Sequence, residues 1–188
     1  MADQLIGGWS SWNFDVSEED RATFEKALED ILGVDYGPVY AVAFRATSVC
    51  NFVFLCRGIM VNPDQTTNLY KVYVTALSGK VKLENIEVVS PVAQGLYGGW
   101  ASWTLPADRS ENTKMLQEAL GKIIGVDYDL IGYTSRVLSG TAEFACFAKG
   151  TVVTPEQNTM AVIAYVLNGV VSHIEEIPQA QTRVTENA

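Results

Sequence analysis

Ile6-Gly7-Gly8-Trp9-Ser10-Ser11-Trp12 returns 91 residues later as Tyr97-Gly98-Gly99-Trp100-Ala101-Ser102-Trp103. Ile31-Leu32-Gly33-Val34-Asp35-Tyr36 returns as Ile123-Ile124-Gly125-Val126-Asp127-Tyr128, now offset by 92. At that offset Val61-Asn62-Pro63-Asp64-Gln65 becomes Val153-Thr154-Pro155-Glu156-Gln157. The match runs nearly end to end, so each half is read as a complete folding unit. A period of about 90 is too long for a solenoid repeat and is the size of a small domain. The units are placed at 1–92 and 93–178, with a short linker after Ser90-Pro91 and a polar tail at 179–188 that is expected to be flexible.

Within a unit the helix is the clearest element. Ser17 is a good N-cap, and Glu18, Glu19 and Asp20 suit the positive end of the dipole. Phe24, Ala27, Leu28 and Ile31 then recur with helical spacing, and Gly33 is expected to close the helix. In the second unit Asp108-x-x-Glu111 predicts a capping box, followed by Leu116, Ala119, Leu120 and Ile123, with Gly125 as terminator. Strands are predicted at 39–45, 51–61, 70–77 and 81–89, and again at 131–137, 143–153, 162–167 and 170–177. Ser78-Gly79 and Asn168-Gly169 read as hairpin turns, and 8–14 as a further short strand. The fold class is therefore α+β, twice: one helix on a four- to five-stranded antiparallel sheet.

Strand alternation adds a constraint. Phe52, Phe54 and Cys56 point one way and Val53 and Leu55 the other. In the second unit Phe144, Cys146 and Ala148 oppose Ala145 and Phe147. A sheet with a helix on one side alone should be polar on the other. The face bearing Val53, Leu55, Ala145 and Phe147 is therefore expected to pack on the sister unit, or on a second chain as a homodimer.

Composition narrows the function. Apolar residues make up 48% and charged residues 19%, ordinary globular usage. The net charge of −9 is spread over both halves without a Lys/Arg cluster. Nucleic acid and membranes are accordingly excluded as expected partners. Met1-Ala2-Asp3-Gln4 has no basic n-region and no apolar h-region, so a cytoplasmic location is expected, with secretion left open. Cys50, Cys56 and Cys146 have no paired spacing and read as free thiols.

The early Gly-Gly, the single helix and the hairpin Ser135-Arg136-Val137-Leu138-Ser139-Gly140-Thr141 resemble the cystatin/stefin family. The resemblance spans the element order of both repeats. It implies a cystatin-like fold, and a wedge formed by an N-terminal Gly and two hairpins that plugs the cleft of papain-like cysteine proteases. Carried onto this chain, the wedge residues are Gly8, Gly99, Arg136, Val137, Leu138, Ser139, Gly140, Asn168 and Gly169. Three features depart from the family. Arg136 stands where the family has Gln, 44–48 lacks both Gln and Gly, and the second hairpins lack Pro. Weak or absent inhibition is therefore expected.

The remaining motifs are weighed one by one. Trp9, Trp12, Trp100 and Trp103 are partner anchors or, favoured here, packing residues, with Gly8 and Gly99 allowing close backbone approach. The lone His173 reads as a surface strand residue, in register with Leu83 or a neighbour. Asp35 and Asp127 read as turn formers. No phosphate loop, catalytic triad or metal spacing is present, so no enzyme, cofactor or metal is expected. Three functions stay open: a protein-binding module, a self-associating structural protein, and a small-ligand carrier using a pocket between helix and sheet.

Overall fold

The computed structural model describes residues 8–91 and 99–181. Repeat one folds as α1 (Glu18–Leu28), β1 (Val34–Ala46), β2 (Cys50–Met60), β3 (Thr67–Leu77) and β4 (Lys80–Val88). Repeat two follows as α2 (Glu111–Leu120), β5 (Val126–Leu138), β6 (Thr141–Val152), β7 (Thr159–Leu167) and β8 (Val170–Glu176). Each set of strands forms its own antiparallel meander, in the order β1-β2-β3-β4 and β5-β6-β7-β8. The chain is thus a duplicated α+β arrangement with one helix per sheet.

Alternation along the central strands builds the layers. Phe54 and Cys56 enter a core under α1, and Cys146 and Ala148 a core under α2. The opposite side chains, Val53, Leu55, Ala145 and Phe147, meet in a third core between the sheets. Helix, sheet, sheet and helix are therefore stacked, and the sister repeat covers the second apolar face. Tyr40 of β1 meets Phe147 of β6 edge-on, with ring centroids 5.8 Å apart.

The segments before the helices seal this centre reciprocally. Trp12 and Trp103 are 2% and 6% exposed, which settles them as packing residues. Each arm also touches the other repeat. Trp12 Nε1 donates to the carbonyl of Ile177 at 2.8 Å, and the carbonyl of Trp12 accepts from Thr159 Oγ1. Trp103 N donates to the carbonyl of Thr67 at 3.0 Å. Within its own repeat each arm makes one bridge, Asn13 to Val42 and Thr104 to Tyr133. The strand expected at 8–14 is therefore a single bridge, because Trp12 leaves the sheet edge for the core.

Several local expectations are corrected. The N-cap of α2 is Ser110, not Asp108. The Asp108 carboxylate instead accepts from Ser110 N at 3.1 Å and Thr113 Oγ1 at 2.9 Å. Neither Gly33 nor Gly125 ends its helix, since α1 closes at Glu29 and α2 at Gly121. Asp35 and Asp127 lie within strands, paired with Ile59 and Thr151. A Cβ added at Gly99 would meet nothing within 4 Å, so no close approach requires that glycine. His173 pairs with Tyr165, and its register counterpart in repeat one is Asn85 opposite Tyr73, not Leu83. The tail begins anchored: Lys71 Nζ donates to the carbonyls of Pro178 and Ala180, and Gln179 Nε2 to that of Ser10. The linker after Pro91 and the tail beyond residue 181 lie outside the described residues.

Candidate functional site

Two ends of each sheet carry exposed groups. At one end the loop entering β1 meets the β2–β3 connection. Val61 N donates to the carbonyl of Gly33 at 2.9 Å, and in repeat two Val153 N donates to that of Gly125 at 3.1 Å. Gly33 and Gly125 hold φ of +91° and +92°, a backbone that residues with a Cβ rarely adopt. This geometry turns the preceding aliphatic side chain outward. Leu32 is 91% exposed and Ile124 97%, with Val61 at 73% and Val153 at 65% beside them. Burying such a side chain stabilises a fold by about 1.5–3 kcal/mol, and neither repeat takes that gain.

The surroundings of the first knob are acidic, and those of the second are mixed, with exposed Lys122 beside two carboxylates. Glu29, Asp30, Asp35 and Asp64 are exposed around the first, and Asp127 and Glu156 around the second. A hollow of about 500 Å³ lies beside the first knob, between Asp35, Met60 and Pro63. Sequence reasoning did not single out Leu32, Val61, Ile124 or Val153. The available signal was that two of the repeated segments of the chain contain them.

The opposite end carries the hairpins. Ser139-Gly140 and Asn168-Gly169 each have positive φ at both residues and form two-residue turns, as does Ser78-Gly79 in repeat one. In sheet order the two turns of repeat two sit at the same end, about 10 Å apart by strand spacing. Ala101 N donates to the carbonyl of Ser135, so exposed Gly99 leads the arm onto this same edge. Val137 and Val170 are each 65% exposed there, and Leu138 is half-buried. Gly8 is exposed at the start of the arm in repeat one.

Arg136 does not belong to this surface. It is 3% exposed, its Nε donates to Glu143 Oε2 at 2.6 Å, and its guanidinium lies 4.5 Å from the Trp100 ring centroid. The expectation that it projects a cation into a partner is corrected: strand alternation points Arg136 towards the inter-sheet side, where Glu143 answers its charge. Repeat one has the same stack, Arg45 over Trp9 at 4.9 Å, but Asn51 in place of the carboxylate.

The titratable groups are tuned by structure. All three cysteines are free. Burial pushes the Cys146 thiol up to about 12 and raises that of Cys56 as well, so neither is a thiolate near neutrality. Asp108 is held below the usual carboxylate range, chiefly by the Ser110 hydroxyl, then by the Ser110 N–H, Thr113 and Tyr133. His173 stacks on Tyr165 with centroids 5.8 Å apart. Among the described residues no three His, Cys, Asp or Glu side chains converge as metal ligands would, and no helix is long and apolar enough to cross a membrane. No protein-family model and no curated protein matches this chain.

Proposed function

We propose that this protein is a non-enzymatic protein-binding module that grips its partner through the paired knobs Leu32–Val61 and Ile124–Val153. One observation carries the reading: both repeats expose an aliphatic pair at equivalent positions, fixed by the same backbone hydrogen bond. Contiguous exposed aliphatic side chains mark interaction surfaces, and here such a pair recurs at equivalent positions. The raised thiol pKa values and burial of Cys56 and Cys146 argue against either as a nucleophile. The test is selection of binders from a random peptide display library against the intact chain. Enriched peptides should lose at least about tenfold in affinity on the Leu32→Asp/Ile124→Asp variant, the penalty expected for one or two hot-spot contacts. Peptides that bind both proteins equally overturn the assignment.

A second reading rests on the hairpin end of repeat two. Gly99, Ser139-Gly140 and Asn168-Gly169 share one end of the sheet, the order of parts that a diverged cystatin-like wedge requires. The internal Arg136–Glu143 pair removes the charge that argued against insertion into a protease cleft. The short turns without Pro and the three-residue loop of repeat one still argue for weak inhibition. Nanomolar inhibition of papain, abolished by Gly140→Trp, would establish this reading. Its absence leaves the knob surface as the binding site. Self-association through the central sheet faces is closed off, since they cover each other.

A further inference from the structure

Register shows where the repeats differ most in outline. Thr75 pairs with Lys82 and Leu167 with Val170, and each of these β3 and β7 positions lies across from an equivalent residue of the preceding strand, Asn51 or Glu143. The β3–β4 hairpin therefore runs two residues per strand beyond the β7–β8 hairpin. The extension passes beside α1, where Lys26 Nζ donates to the carbonyl of Gly79 at 3.2 Å. Between helix and hairpin lies a cleft of about 460 Å³ whose apolar lining includes Phe52, Ala76 and Val81. On the helix side Thr23 stands where repeat two has Met115, which packs onto the core beneath α2 and reaches the turn at Gly169.

We infer that this cleft of repeat one is a binding site for a small amphiphile with a short acyl or aryl body and a carboxylate. It is independent of the knob surface. The volume lies in the range of small-molecule sites, which are mostly apolar with a few placed polar groups. The apolar lining takes the body of the ligand. Lys26 uses one of its three N–H groups on Gly79, which leaves two for an anion. The other charged group on the wall, Glu19, is seven residues earlier on the helix, about 10 Å away along the axis. That separation orients the ligand with its carboxylate at the Lys26 end. The exposed Cys50 thiol forms part of the wall and reports occupancy.

The probes are octanoate and octanol, titrated into the intact chain by calorimetry and by protection of Cys50 from a thiol reagent. Octanoate should bind saturably at one site and slow Cys50 modification. Lys26→Gln should weaken octanoate at least fivefold and leave octanol unchanged. Thr23→Met, which borrows the residue of repeat two, should weaken both at least tenfold without lowering the unfolding temperature. Unsaturable octanoate binding, an unprotected Cys50, equal binding of octanoate by the Lys26→Gln variant, or unchanged affinity in Thr23→Met would each overturn the assignment.

Discussion

The two helices lie on equivalent sheets yet bury different amounts. α2 buries Leu116, Ala119 and Leu120, whereas α1 buries Phe24 alone. The sheets beneath them contribute matching residues to the shared centre, Val53 and Leu55 against Ala145 and Phe147. The polar support of the two halves also differs: Arg136 has Glu143, while the equivalent Arg45 faces Asn51, whose amide instead donates to the carbonyls of Arg45 and Val49 and closes the loop between β1 and β2. The apolar centre is thus held alike in both repeats, while the helices and the Arg–Trp stacks at its margin have diverged. A side chain in the centre must satisfy two sheets at native packing density, whereas an outer helix answers only to its own.

The largest expected effect tests that shared centre. Phe147→Ala should cost about 3–5 kcal/mol and lower the whole chain's stability in one denaturation transition. Two separate transitions, with only repeat two weakened, would show that the halves do not share one core. Next comes Glu143→Ala, which removes the carboxylate that answers the buried Arg136 guanidinium. A loss of about 3 kcal/mol is expected, at the lower end for a broken buried pair because Glu143 keeps 13% side-chain exposure. The matched change in repeat one, Asn51→Ala, should cost about 1 kcal/mol, since no charge is left behind. Equal losses by urea titration would show that the two Arg–Trp stacks are supported alike.

The smallest effect concerns the start of α2. The folded carboxyl of Asp108 is depressed, so its contribution is present above the unfolded value, near 3.9, and is lost as pH falls through the folded value. Asp108→Asn should therefore melt slightly below the parent chain at pH 7, and the two should converge as pH drops below 4. A difference that persists in acid would point to packing, not charge.

Much of this was legible in the chain, for identifiable reasons. The duplication gave the element order. Two-sided apolar strands required a covering layer, and the faces of Val53 and Phe147 were read correctly because alternation is strict in a strand. The boundaries of β1 and β5 were not legible. Their first residues include Asp35, Gly37 and Pro38, or Asp127 and Asp129, which propensity assigns to turns but which edge pairing and bulges accommodate. Arg136 was misjudged because a lone Arg beside a hairpin gives no sign of its cross-strand partner seven residues on. The knobs were missed because helical periodicity marks Ile31 and Ile123 and says nothing of the outward residue after them.

The reciprocal crossing of the two arms bears on ancestry. Trp12 reaches Thr159 and Ile177, and Trp103 reaches Thr67, so each half completes the other with equivalent segments. Two copies of a single half could make these contacts between molecules. A gene encoding one repeat would thus have yielded a symmetric pair, and tandem fusion would have preserved the joint while freeing each outer layer to drift. Lys71 against Ile163 shows that fusion also released the joint at one position: one half holds a buried cation that clasps the end of the other, where the other half places an isoleucine in the shared core.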